Sequence, residues 1–145
     1  MDNLVDIASR YVGIPYKHGG NSINGISCIF LVHNILHESG LESPAESFIS
    51  VGEDWDKADP TIMNRELNKI GQEVIDDLMP LDVVMFALTD DAEIVSHVGV
   101  MIDKTRFIHV CDGVKSKVSK ITHPFWRSKY RGARRVAVTD GKTRR

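Results

Sequence analysis

The chain has 145 residues, 42% of them hydrophobic, which is enough to bury one core and too few for two ordinary domains, so residues 1–145 are expected to form a single domain. Its strongest apolar runs, such as VVMFAL at 83–88, fall far short of the ~20 residues of a membrane-spanning helix, and two cysteines, Cys28 and Cys111, cannot build a disulfide framework. The net charge of −2 hides a division, because residues 104–145 sum to +11 and residues 1–103 to −13.

That division has two readings. Basic strands can lie against acidic helices and loops within one fold, or a positive face can concentrate an anionic polymer. No recognition helix, zinc finger or set of stacking aromatics points to nucleic acid.

The N-terminal stretch MDNLVDIASRYVG carries Asp2 and no basic run leading into a long apolar core, so it lacks the pattern of a secretory signal peptide. Asn3 or Asp2 can cap a first helix in which Leu4, Ala8 and Tyr11, with Val5 and Val12, follow the helical period until Gly13 and Pro15 stop it. GIPYKHGGNSING is then a loop with tight turns. A second helix is expected over Cys28 to His37, with Ile35 and Leu36 one turn beyond Leu31 and Val32 and Gly40 as its stop. Residues 43–60 read as loop with a short helical turn, and Thr61 to Ile70 as a third helix ending at Gly71.

After Pro80 the pattern changes to short runs rich in β-branched and aromatic residues: DVVMFAL, SHVGVMI, RFIHVCD, KVSKIT and RRVAV. Helices followed by an antiparallel sheet define an α+β fold, with the N-terminal helices packed on the C-terminal sheet.

Cys28 stands where chemistry is favoured. With Ser27 as a cap, the unpaired N–H groups of the first helical turn stabilise a thiolate, and they can also stabilise the oxyanion formed when sulfur attacks a carbonyl. A lone cysteine beside Ile29 and Phe30 is equally a core residue, so the choice turns on a base. His97 and His109 lie in two adjacent expected strands joined by Asp103-Lys104-Thr105. If those residues form the whole loop, Ile102 pairs with Arg106, Gly99 sits opposite His109 and His97 opposite Cys111, all on one face. A loop one residue shorter puts the histidines on opposite faces. In the first register His97 can serve as general base and His109 can orient it. A zinc site from Cys28, His97, His109 and Cys111 is the competing reading; the short Cys-x-x-Cys or His-x-x-x-His pairs of strong zinc motifs are absent from these residues.

Two longer stretches carry a resemblance. YVGIPYKHGGNSINGISCIFLVHNI resembles the first motif of the NlpC-type cell-wall peptidases, which are papain-like cysteine enzymes: Leu-Gly-x-Pro-Tyr-x-Trp-Gly-Gly, a loop, then Asp-Cys-Ser-Gly-Leu-Val opening a helix. LMPLDVVMFALTDDAEIVSHVGVMIDKTRFIHV resembles the second, in which Pro-Gly-Asp-Leu leads to His-Val-Gly-Ile and then Phe-Ile-His-Ala, and YRGARRV resembles the last strand.

The resemblance implies a papain-like NlpC-type fold, Cys28 as nucleophile, His97 as general base, His109 as the third polar residue and Tyr16 lining the cleft. It also implies cleavage of amide bonds in peptidoglycan stem peptides, often between D-glutamate and the next diamino acid, without metal or cofactor. The Tyr-x-His-Gly-Gly variant at Tyr16 to Gly20 resembles members associated with phage tails. A chain that is cytoplasmic as made, or delivered within a phage or secretion particle and partnered by its proteins, would suit this. A structural or wall-binding domain of such a particle, its cleft blocked by Ile29 and Phe30, is the alternative.

Three departures bear on specificity. Ser27 replaces the family's Asp, Ile29-Phe30 replace Ser-Gly, and Leu81 replaces the glycine before Asp82. Ser27, Ile29 and Phe30 are therefore expected, with Tyr16, to decide which substrate is bound.

Overall fold

The computed structural model describes residues 3–42 and 59–137. All but the last two residues of the loop expected at 43–60 lie outside these ranges. Helix α1 (Leu4–Ser9) starts at Asn3, whose Oδ1 accepts the Asp6 N–H at 2.9 Å. It ends before Tyr11, whose hydroxyl, like the Arg10 guanidinium, bonds the Glu38 carboxylate instead.

Within the glycine-rich loop a small hairpin forms from β1 (Asn21–Ser22) and β2 (Gly25–Ile26). Helix α2 (Cys28–Glu38) follows and buries Cys28, Ile29, Leu31, Val32, Ile35 and Leu36, a stripe at helical spacing. Gly40 ends it with φ 77; the Gly40 N–H donates to His37 O at 3.0 Å and the Leu41 N–H to Leu36 O at 2.9 Å, the paired bonds of a left-handed helix stop.

Helix α3 (Ile62–Leu67) buries Ile62, Met63 and Leu67 and stops short of Ile70. Gly71 adopts φ 53 directly beneath the Arg135 carbonyl, where a Cβ would fall 2.2 Å from the oxygen. Only glycine fits that approach.

The remaining elements are β3 (Gln72–Glu73), β4 (Val83–Phe86), β5 (His97–Met101), β6 (Arg106–Cys111), β7 (Val114–Lys120), α4 (Pro124–Lys129) and β8 (Tyr130–Arg135). They form a six-stranded sheet ordered β3-β8-β4-β5-β6-β7, antiparallel at every pairing. The α+β expectation holds. The last strand runs from Tyr130 to Arg135, as the resemblance of YRGARRV implies, and so starts before the apolar run RRVAV; helix α4 occupies PFWRSK ahead of it, which carries no extended apolar period. Pro124 suits the first helical position, and His123 caps it by accepting the Phe125 N–H at 3.2 Å.

Both faces of the central strands are covered, which is why VVMF of β4 is buried throughout. Val83, Met85, Val98, Val100, Ile108 and Val110 pack with α1, α2 and α3. On the other face Val84, Phe86, Met101, Phe107 and Ala133 pack with Trp126 of α4. At the entry to β4, Leu81 takes φ 74, a conformation that a glycine would adopt without penalty. Its N–H bond to Met101 O at 2.7 Å and its contact with the core hold it there.

The opposed charges of the two halves meet at Asp82. Its fully buried carboxylate accepts Arg135 Nε at 2.9 Å, Arg135 Nη2 at 2.8 Å and the Met79 N–H at 2.8 Å, so the pair clamps β8 against β4. By contrast, Lys104, Lys115, Lys117, Lys120 and Arg127 are exposed and make no ion pair among the described residues. Removing one partner of a buried pair strands the other charge. Arg135→Met is therefore expected to cost about 3 kcal/mol in urea unfolding, with Asp82→Leu added to it restoring most of the loss. A cost for the single change no larger than the ~0.5 kcal/mol typical of surface positions would show that the pair is not structural.

Candidate active site

Ser27 leaves the loop in an extended conformation (φ −87, ψ 163), and its Oγ accepts the Phe30 N–H at 3.3 Å. This cap makes Cys28 the first residue of α2, where it is only 7% exposed. Backbone N–H groups of Val98, Ile29 and Cys28 itself favour the thiolate, as the helix start predicts, but burial outweighs them and pushes the thiol up to about 11. The Val98 contact places the sulfur beside the residue that follows His97.

The hairpin from β5 to β6 adopts the register with a three-residue turn: Val100 pairs with Ile108, Met101 with Phe107, and the Ile102 N–H donates to Arg106 O at 2.9 Å. Asp103 fixes the turn, its Oδ1 accepting the N–H groups of Thr105 at 2.8 Å and Arg106 at 2.7 Å. Continued along the strands, this register sets Gly99 beside His109. A Cβ on Gly99 would lie 3.2 Å from His109 Cβ and 2.8 Å from Phe107 Cδ2, so the glycine makes room for the ring behind it.

The two imidazoles meet directly. His97 Nε2 lies 2.9 Å from His109 Nδ1, and His109 Nε2 lies 2.8 Å from Ser119 Oγ on β7. Trp126 covers both rings, stacked on His97 at 5.5 Å between centroids and edge-on to His109 at 4.6 Å. His97 is 2% and His109 1% exposed. Burial drives the His97 imidazole down to about 4. It drives His109 to about 3, helped by the charges of His97 and Lys117. Both rings are neutral at pH 7.

A neutral imidazole has one N–H and one bare nitrogen. With Nε2 of His97 turned to His109, Nδ1 is the ring nitrogen left outside the pair. No hydrogen bond joins the thiol to either imidazole among the described residues. The resting combination is thiol and neutral imidazole, not a preformed ion pair.

The other expected site residues are placed unequally. Tyr16 is half-buried, bridges to Ile26, and sets its hydroxyl 3.4 Å from His18 Nδ1. Phe30 is half-buried with its ring edge-on to His33 at 6.2 Å. Ser27 is 4% exposed and spends its oxygen on the cap. Ile29 is a correction: at 2% exposure it belongs to the core shared by α2 and the sheet, because the helical period turns position 29 inward with Val32 and Leu36. It cannot line a cleft.

Two residues of the site escape sequence reasoning, Ser119 and Trp126. Strand alternation from Lys117 would put Ser119 on the histidine face once β7 is paired with β6, whereas Trp126 depends on a helix too short to declare itself. Among the described residues no three His, Cys, Asp or Glu side chains are arranged to hold a metal ion. The nearest two candidate nitrogens, on His97 and His109, face each other at hydrogen-bond distance.

Proteins of known name share this sequence pattern and fold. The chain is 27% identical over 135 residues to the murein DD-endopeptidase MepS/murein LD-carboxypeptidase of Escherichia coli K12, covering 92% of this chain and 61% of that protein. It is 29% identical over 135 residues to a gamma-DL-glutamyl hydrolase of Bacillus subtilis, covering 91% of this chain and 28% of that one. It thus spans about three fifths or less of the length of these relatives. Among solved structures, an NlpC/P60 family protein from Bacillus cereus superposes with a TM-score of 0.68 at 25% identity, over 93% of this chain and 39% of that one. Residues 13–135, from the loop before Tyr16 through the last strand of the chain, match the NlpC/P60 family model, and the chain belongs to that family.

Proposed function

We propose that this domain is a cysteine-type amide hydrolase acting on peptidoglycan stem peptides, with Cys28 as nucleophile, His97 as general base and acid, and His109 as the residue that orients His97. The observation that carries the reading is the 2.9 Å contact between His97 Nε2 and His109 Nδ1, which aims the other nitrogen of His97 away from the pair. It is supported by relatives that are named as a murein endopeptidase and a glutamyl hydrolase.

In the reaction, His97 Nδ1 takes the proton of the Cys28 thiol as sulfur attacks the substrate carbonyl. Because burial holds the thiol near 11 and the imidazole near 4, the transfer is uphill in the empty site and accompanies attack rather than preceding it. The N–H groups at the start of α2 stabilise the resulting oxyanion. His97 then returns its proton to the leaving amine as the C–N bond breaks and the acyl-enzyme forms; His97 next takes a proton from the water that attacks the thioester and gives it to the Cys28 sulfur as the C–S bond breaks, releasing the acid. An amine could resolve the same intermediate, giving transfer instead of hydrolysis. The finer assignment is the bond between D-glutamate and the following diamino acid. Ser27 supplies no carboxylate where the family has Asp, so a charged contact to a free amino end of the stem is not part of this assignment.

The burial of Cys28 favours a second reading, a catalytically weak or structural wall-binding domain on the same fold. Iodoacetamide separates the two: alkylation of Cys28 that is slowed in His97→Ala indicates a coupled pair, and equal rates in both proteins indicate the structural module.

Incubation with purified peptidoglycan is expected to release new amino and carboxyl ends detectable by mass spectrometry, and Cys28→Ala to release none. Equal release by the variant would refute the nucleophile, and the identity of the ends fixes the bond.

The pH dependence carries its own sign. His97 must be neutral to accept the thiol proton, and it stays neutral until pH falls to about 4. kcat/KM is therefore expected to hold through pH 6 and to drop on acidification towards 4. An acid limb centred near the ordinary histidine value of ~6.5 would show that His97 is not the buried base.

A further inference from the structure

We propose that Ser119 is a positioning residue that, by accepting a hydrogen bond from His109 Nε2, holds His109 and through it His97 in the one tautomer able to take a proton from Cys28. The inference rests on the proposed pairing of Cys28 with His97.

Three polar side chains lie in a line across adjacent strands. Ser119 Oγ on β7 is 2.8 Å from His109 Nε2 on β6, and His109 Nδ1 is 2.9 Å from His97 Nε2 on β5. Ser119 pairs with Phe107 and Lys117 with His109, so the serine reaches the imidazole along the diagonal of the ladder. Each neutral ring carries one proton, which leaves two consistent arrangements along the line. In one, His97 donates from Nε2 to His109 Nδ1, and His109 donates from Nε2 to Ser119. In the other, Ser119 donates to His109 Nε2, His109 donates from Nδ1 to His97 Nε2, and the His97 proton sits on Nδ1, where it blocks transfer from the thiol.

The reaction itself selects between them. Once His97 holds the thiol proton it has two N–H groups, and the one on Nε2 needs a bare Nδ1 on His109. That places the His109 proton on Nε2, where the side-chain acceptor it meets among the described residues is Ser119 Oγ. Ser119 is half-buried, so its own hydroxyl proton can turn to solvent and leave the oxygen free to accept. The surroundings keep His109 neutral throughout. Lys117 opposes a second positive charge there, and Phe107 and Trp126 cover the ring at 4.5 and 4.6 Å between centroids. The other titratable groups near the line are Cys111 on the same strand and His97 itself. No carboxylate among the described residues bonds either imidazole, so a hydroxyl fills the place a carboxylate could take.

Nitrogen-15 NMR of the imidazoles in the intact protein at pH 7 reads the arrangement directly. His109 and His97 are both expected to be protonated on Nε2 and bare on Nδ1. Ser119→Val excludes both hydroxyl and water and suits a strand; it should move both protons to Nδ1 and lower kcat on peptidoglycan about tenfold with KM unchanged. Ser119→Ala, which admits water, should give a mixture of tautomers, and Ser119→Thr should restore the wild-type spectrum and rate. A bare Nε2 on His109 in the wild type, or tautomers unmoved in both Ser119→Val and Ser119→Ala, would overturn the proposal. Tautomers that respond as expected in a protein that cleaves no peptidoglycan would leave Ser119's role standing and refute the substrate reading instead.

Discussion

The contact between His97 and His109 governs the rest of the site, and it exists because one hairpin has one register. Side chains alternate faces along a strand, so a slip of a single residue would send one imidazole into the α2 face and leave the other among Phe86, Phe107 and Trp126. The turn prevents this through Asp103, whose carboxylate gathers the backbone N–H groups of Thr105 and Arg106. Gly99 is the second requirement, since any Cβ there would press on His109 and Phe107. A surface turn and a strand glycine thus hold two buried rings at bonding distance. The aromatic layer keeps water from competing for that bond, and the same layer makes protonating either ring costly.

What is legible in the sequence follows from how local its cause is. Asp103-Lys104-Thr105 is a local turn, so the face shared by His97 and His109 follows from the residues alone once the turn length is known. Ser27 followed by an apolar period likewise puts Cys28 at a helix start. The ionisation of that cysteine has no such local cause. Helix-end N–H groups act over one turn, but the burial that outweighs them comes from the sheet packed against α2. Trp126 is hidden because six residues of α4 contain too few turns for a period. Ser119 is hidden because its partner lies on another strand. Ile29 misleads for a different reason: motif position suggests a cleft, while its own helical phase points to the core.

The division of charge along the chain resolves into two unequal parts. One is the Asp82–Arg135 clamp, which joins the acidic segment before β4 to the last strand and is as much a part of the core as the apolar residues around it. The other is a set of exposed cations, three of which, Lys115, Lys117 and Lys120, stand on β7 at the end of the strand order. The backbone of Ser116 on the outer side of β7 is paired with Gly13 and Ile14; along the rest of an edge strand, lysines discourage pairing with a passing strand. Lys117 does more than protect the edge, because it stands opposite His109 and its charge helps keep that ring neutral.

Specificity, under the proposed reading, narrows to fewer residues than the first motif suggests. Ile29 is removed from consideration by burial, and Ser27 is committed to the helix cap. An Asp at position 27 could cap the helix equally well while adding a negative charge beside the nucleophile. Serine keeps the cap and removes the charge, so helix geometry is preserved while the electrostatics of the approach to Cys28 change. Phe30 and Tyr16 then remain as half-buried aromatic surfaces near the helix start, suited to apolar or planar parts of a substrate rather than to an ammonium held by a carboxylate. Under that reading the chemistry of Cys28 and the choice of substrate are separable: the first would be set by packing on the sheet, the second by the cap residue and two aromatic rings.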